Sequence, residues 1–370
     1  MKVPMLDLVA QHASIRDEML QAVTAVVERQ GFIMGAEVVA LEEAVARLSQ
    51  TRFAVGCASG TDALLLPLRA LGLKPGDEVI TPSFTFFATA GAVHNAGARP
   101  VFVDIEPDSY NIDPAAIEAA ITPRTRAIIP VHLFGQMAAL DRIMPIARKH
   151  GLAVIEDAAQ SIGSRRRIDG TWRMSGEVGT CGTLSFFPSK NLGGWGDGGM
   201  IVTQDEAFAA RLRTERLHGG SQQYYHDDVG LNSRLDTLQA AVLLAKLPHL
   251  AGWSEARRRN AARYTAAWSR GPVRPPVTDS ANEHIYNQYT IRAPRRDALQ
   301  KHLQASGIGC SIYYPLPLHL QPCFAYLGYQ QGRLPVSEQA AQEVLSLPVY
   351  PELSISQQDA VIDAVNRFYA

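Results

Sequence analysis

Cysteine is scarce in this chain. Its 370 residues hold four, Cys57, Cys181, Cys310 and Cys323, with no CxxC pair and no His/Cys spacing suited to zinc. A disulfide framework and a metal centre are both excluded on that pattern, and the thiols read as isolated buried or half-buried groups of a reducing compartment. Long apolar runs are lacking too: none approaches the roughly 18 residues a membrane-crossing helix needs. The opening MKVPMLDLVAQHASIRDEM carries charges inside its apolar stretch, unlike a signal peptide. Charge of one sign is missing as well. A formal net charge of -1 gives no field for drawing in nucleic acid or an anionic membrane. The short basic clusters at 164–167 and 257–259 read as solvated faces. Internal repeats and low-complexity tracts are absent, and no GxGxxG follows the first strand, which excludes a dinucleotide fold. The glycine run GGWGDGG (193–199) does not open a helix, so it reads as a tight turn. What is left is a chain of cytoplasmic type, 46% hydrophobic and 19% charged, long enough for two or three domains.

Between about residues 50 and 205, β-branched runs alternate with helical patterns. Strands are predicted at 53–58, 77–82, 99–105, 126–134, 152–158 and 183–187, with helices at 61–71, 85–96, 114–121 and 138–150. Continuous rather than alternating hydrophobicity implies a mostly parallel sheet covered on both faces. The run GGMIVTQD (198–205) follows its predecessor after only a turn and is predicted to lie antiparallel to it. Helices are expected at 206–217, 234–247 and 253–268. After the Pro-rich break at 271–277 comes a smaller β-α-β unit, with strands at 286–292 and 307–314 and a helix near 296–305. The reading is α/β: a large domain over 1–245, whose N-terminal helix packs on the second unit, and a smaller α+β domain over 246–370.

Two side chains fall at the carboxyl ends of predicted strands, where such sheets place their ligands. Asp157 ends the apolar run LAVIED, and Lys190 closes SFFPSK after the strand at 183–187. A lysine amine condenses with an aldehyde, and a carboxylate holds a pyridinium nitrogen protonated. The pair therefore suits pyridoxal 5'-phosphate (PLP) chemistry. A dianionic phosphate needs free backbone N–H groups and a positive dipole. The strand–turn–helix segment FAVGCASGTDALLL offers both, with Gly60 allowing close approach. Ser59 or Thr61 would equally serve as a plain N-cap. Pro67 lies inside the same helix, where it is expected to remove one hydrogen bond.

Taken in order, these segments resemble a known family, the DegT/DnrJ/StrS sugar aminotransferases, which are PLP enzymes of fold type I. The motifs are PMLDL (4–8), SGTDAL (59–64), PGDEVITPSFTFFAT (75–89), VFVDIEPDSYNID (101–113), IEDAAQSIGS (155–164), SFFPSKNLGG (185–194), VGLNSRLDTLQAAVLLAKL (229–247) and YYPLPLHLQP (313–322). The resemblance implies that Lys190 binds the cofactor aldehyde, that Asp157 pairs with the ring nitrogen and that Gln160 faces the phenolic oxygen. It places Phe86 against the ring and Gly60, Thr61 and Ser185 at the phosphate. It also implies that Asn232 reaches the phosphate from the neighbouring subunit of a homodimer. Arg234 and Tyr314 are expected at the substrate. Core packing for Phe86, loop tethering for Gln160 and Asn232, and a helix-start salt bridge for Arg234 are the alternatives.

Keeping Lys190 argues against the dehydratase branch, in which histidine replaces it. Tyr313 stands where relatives often carry histidine, which bears on the shape of the sugar pocket. The implied reaction moves an amino group from glutamate to a nucleotide-linked keto sugar, a UDP- or dTDP-3-keto hexose. The runners-up are 4-keto sugars and aminocyclitol precursors, and a rival of another class is a regulatory protein on the same fold.

Overall fold

The computed structural model describes residues 2–222 and 224–370. Two helices open the chain, α1 (Leu8–Arg29) and α2 (Ala36–Leu48). Asp7 caps α1 through the Ala10 N–H, at 2.9 Å. The helix packs on α8 (Thr237–Lys246) through Ile15, Met19 and Val242, while Val3 joins the C-terminal core.

The central sheet comprises β1 (Phe53–Cys57), β2 (Glu78–Pro82), β3 (Arg99–Val103), β4 (Thr125–Ile128), β5 (Ala153–Asp157), β8 (Cys181–Ser185) and β9 (Gly199–Thr203). Their spatial order is β1-β9-β8-β5-β4-β2-β3. All pairs are parallel except those of β9, which runs against both β1 and β8. Helices α3 (Gly60–Ala70), α4 (Ala88–Asn95), α5 (Pro114–Ala120), α6 (Leu140–His150) and α7 (Glu206–Glu215) flank it. Apolar side chains fill both faces, with Val55, Leu66, Val79 and Ile155 in one layer and Ile80, Ile128 and Val154 in another. Burial on two faces accounts for strands that read as unbroken apolar runs. Pro67 sits within α3, which continues past it.

Between β5 and β8 the chain makes a hairpin that the sequence reading did not contain, β6 (Arg165–Ile168) and β7 (Thr171–Met174). It corrects the view of the basic cluster as a solvated face. Strand alternation turns Arg166 inward while Arg167 stays exposed. The buried Arg166 guanidinium donates to Asp141 at 2.6 Å and Asp279 at 2.8 Å. Arg257 in the second cluster is likewise buried, and donates to the Tyr286 carbonyl at 3.1 Å.

Helices α8 (Thr237–Lys246) and α9 (Leu250–Ala267) lead to the C-terminal part. This contains β10 (Asn282–Glu283), β11 (Tyr289–Arg292), α10 (Arg296–Ala305), α11 (Pro335–Glu343), β12 (Val344–Leu347) and α12 (Ile355–Tyr369). Tyr264, Trp268, Tyr289, Leu299, Leu345 and Val361 share one apolar cluster there. The β-α-β expectation fails in its last strand. Residues 307–314 form only isolated bridges, Val3 with Ile308 and Ser311 with Ser346, and β11 pairs antiparallel with β12 instead. Gly307 and Gly309 bond the backbone of Val3, so this stretch holds the N-terminus rather than extending the sheet.

Candidate active site

The carboxyl ends of β1, β5 and β8 open toward one region. Asp157 closes β5 and is 5% exposed. Its Oδ2 accepts from Thr89 Oγ1 at 2.8 Å and its Oδ1 from the Ala159 N–H at 3.2 Å. Burial pushes its carboxyl up, against those two donors and the charge of Lys190. Among the described residues no cation lies within ion-pairing distance of it. A buried carboxylate in that state is costly unless a positive group joins it.

Beside Asp157, Glu156 is fully buried and anchors the strand end. It accepts from the N–H groups of Gly176, Val178 and Gly179 at 2.6–2.8 Å and pairs with His132 Nε2 at 2.8 Å. The Ala138 N–H donates to His132 Nδ1, which puts the ring proton on Nε2.

Lys190 lies in the loop between β8 and β9, its side chain half-buried. Burial lowers its amine to about 8, with the Asp157 charge pulling the other way. Among the described residues the amine has no hydrogen-bond or ion-pair partner. The loop around it is tied down on the α8 side: Gln239 Oε1 accepts from the Trp195 N–H at 2.8 Å, and Lys246 Nζ donates to the Gly193 carbonyl at 2.7 Å.

At the end of β1, Ser59 caps α3 by accepting from the Asp62 N–H at 3.1 Å. The capping alternative is therefore realised by Ser59, and the Gly60 and Thr61 N–H groups have no hydrogen-bond partner among the described residues. The turn is packed to the limit: a Cβ on Gly60 would stand 2.6 Å from that of Ser185, and one on Gly199 would stand 2.2 Å from the Ser59 carbonyl. Ser185, ending β8, is thereby placed against the first turn of α3.

Phe86 is 57% exposed, which removes the core-packing alternative, and its ring centroid is 6.2 Å from that of Tyr314. Gln160 accepts from the Phe134 N–H at 2.8 Å and donates to the Tyr314 hydroxyl at 3.1 Å, so it does tether a loop. Burial pushes the Tyr314 hydroxyl up. Asn232 and Arg234 line a cleft of about 290 Å³ with Ala58, Asp197, Asp236 and Gln239. The salt-bridge alternative for Arg234 does not occur among the described residues. Ser233 between them donates to Asp62 at 2.6 Å and accepts from the Ala58 N–H at 3.2 Å.

An amine near neutrality, a buried carboxylate short of a cation, an exposed aromatic face and an open helix N-terminus fit a flat cationic ring that ends in a phosphate. The chain matches the DegT/DnrJ/EryC1/StrS aminotransferase family over residues 13–366. It belongs to that family. Members depend on PLP, and solved relatives hold the pyridoxal and pyridoxamine forms. The chain is 51% identical to a "pleiotropic regulatory protein" of Geobacillus stearothermophilus, over 100% of this chain and 99% of that one. It is 48% identical to the UDP-N-acetyl-3-dehydro-alpha-D-glucosamine 3-aminotransferase of Acidithiobacillus ferrooxidans, covering 99% and 97%. The solved structure of Streptomyces venezuelae DesV, in complex with a ketimine intermediate, superposes with a TM-score of 0.96 at 44% identity, covering 99% and 98%.

Sequence reasoning missed Thr89, Glu156, His132 and Lys246. A charged residue inside an apolar strand run was the available sign for Glu156. Thr89 stands four residues after Thr85, a spacing that brings two hydroxyls together on a helical turn.

Proposed function

We propose that the protein is a PLP-dependent aminotransferase that converts a nucleotide-linked 3-keto hexose to its amino sugar, with glutamate as amino donor. One observation carries the reading: a half-buried lysine of lowered pKa lies near enough to feel the charge of a buried carboxylate that has no ion-pair partner among the described residues. Bound PLP supplies an aldehyde that takes up amines and a ring that withdraws electrons from the reacting carbon. Lys190 Nζ would hold the cofactor and, as a free amine, would carry a proton to and from the donor's α-carbon. An amine near about 8 is far better suited to this than an ordinary lysine. Asp157 would balance the ring N–H, Phe86 would offer a face for stacking, and Gln160 would face the phenolic oxygen beside Tyr314. Gly60, Thr61 and Ser185 would hold the phosphate. Arg234, with no partner of its own among the described residues, is free to meet a diphosphate or sugar carboxylate.

The proposal also takes the protein to be cytoplasmic and dimeric, with Asn232 completing the neighbour's phosphate site. It divides the chain near residue 246 into a cofactor-binding unit and a smaller one, which separate apolar clusters support. Among the described residues no helix is long and apolar enough to cross a membrane. The 3-keto position rests on the relative from Acidithiobacillus. A regulatory role has the name of the Geobacillus relative behind it, but such a role does not need Lys190, Asp157 and the Gly60 turn all kept.

Borohydride treatment followed by peptide mass spectrometry tests the covalent claim. The expected product is a pyridoxyl adduct on Lys190, and an unmodified Lys190 sinks the proposal. Mixing the pyridoxamine-loaded enzyme with a panel of UDP- and dTDP-linked 3-keto and 4-keto sugars then decides the substrate. The true one restores the pyridoxal spectrum fastest.

A further inference from the structure

We propose that Thr89 is a positioning residue that orients and charges Asp157 for the cofactor's ring nitrogen, as the last member of a hydroxyl relay beginning at Thr85. This inference rests on the cofactor assignment above and concerns a side chain outside it.

Both hydroxyls are buried, Thr85 2% and Thr89 0% exposed. Thr89 Oγ1 lies 2.8 Å from Asp157 Oδ2 and 3.1 Å from Thr85 Oγ1. A hydroxyl has one proton to give. Ionised Asp157 can only accept, so the Thr89 proton goes to it and Thr85 must donate to Thr89. The relay therefore has one direction. Together with the Ala159 N–H on the other oxygen, it stabilises the anion against the burial that favours the neutral acid. It also fixes the carboxylate plane, because the two oxygens are held by donors from different segments, α4 and the turn after β5.

The turn that leads into α4 presents Phe86. The Thr89 N–H donates to the Phe86 carbonyl at 3.2 Å, so the exposed ring and the hydroxyl lie on one rigid piece of backbone. A ring stacked on Phe86 would thus be registered against the oxygen that Thr89 holds. The charged and titratable groups that act on Asp157 are Lys190 and His132, and Tyr314 lies close enough to feel its charge. None of these donates a hydrogen bond to the carboxylate, which leaves Thr89 as its only side-chain donor among the described residues.

Pyridoxamine phosphate is the probe, because it cannot bond covalently to Lys190 and so isolates the ring contacts. Its affinity for cofactor-free protein is measured by calorimetry across pH for wild type, Thr89→Val, Thr89→Ser and Thr89→Ala. Hydrogen bonds to charged groups are the stronger class, so Thr89→Val and Thr89→Ala are expected to weaken binding roughly ten- to a hundredfold, and Thr89→Ser to stay within about threefold of wild type. The acid limb, where binding fails as Asp157 takes up a proton, should move to higher pH in the valine and alanine variants. A purely structural role would not move that limb. Equal affinity and an unmoved limb in folded Thr89→Val or Thr89→Ala overturn the inference. Wild type that does not bind the probe at all overturns the cofactor assignment beneath it.

Discussion

At the scale of single residues, the site is a contest between desolvation and charge. The two lysines with strongly lowered values, Lys190 and Lys246, both sit near about 8 because burial disfavours the ammonium. They differ in access. Lys246 is 4% exposed and donates to Gly193, whereas Lys190 is half-buried with its amine unengaged. Lowering the pKa of a base enlarges its neutral fraction above that pKa. At pH 8 Lys190 should be about half neutral, while an ordinary lysine is neutral in less than roughly one molecule in a hundred. Brief acetylation of cofactor-free protein at pH 8 should therefore label Lys190 first, as read by peptide mass spectrometry. Labelling no faster than at surface lysines would show that the local environment does not activate it.

At the scale of elements, the proposed phosphate turn depends on contact between the start of α3 and the end of β8. Gly60→Ala places a methyl 2.6 Å from the Ser185 Cβ, and overpacking of this kind costs typically about 1–3 kcal/mol. In chemical denaturation the loss should shrink when Ser185→Gly is added, a non-additivity expected only for side chains in contact. Independent losses would contradict the packing described here. This junction was half legible in the sequence. The run FAVGCASGTDALLL showed strand, turn and helix, because apolar continuity and a capping serine are local signals. That β8 supplies the opposing wall is a matter of sheet order, and nothing local records that β9 inserts between β1 and β8. The same limit explains the misread segments. Arg166 is buried only because β6 and β7 bring it to Asp141 and Asp279, which lie far away in sequence. Residues 307–314 looked like a strand by composition, yet their strand-type bridges are only to Val3 and a single residue of β12. The places of Lys190 and Asp157 in the fold were legible because one ends a strand signal and the other lies a short loop beyond one. Thr89 was not, since its meaning comes from the carboxylate it meets.

For the whole molecule, the proposed dimer sets a test of how protomers would share the work. Asn232 and Arg234 flank Ser233, which is fastened to the chain's own phosphate turn through Asp62 and Ala58. If Asn232 serves the neighbour's site, a mixture of Lys190→Ala and Asn232→Ala protomers should regain activity that neither variant shows alone. Random pairing of two-fold dimers puts one intact site in half of them, about a quarter of the wild-type rate. No gain on mixing, with exchange verified by mass, would assign Asn232 to its own subunit. The strand β9 has a consequence at this scale as well. Running against both neighbours, it makes the Lys190 segment a closed hairpin connection rather than a crossover through a helix. The ends of that connection are fixed about one strand spacing apart, ~4.8 Å, so its reach is set by its own length. On the proposed function, changes of sugar preference would then be written into other stretches of chain, such as those bearing Tyr313 and Arg234. Recognition would diversify while the Lys190 amine keeps its post.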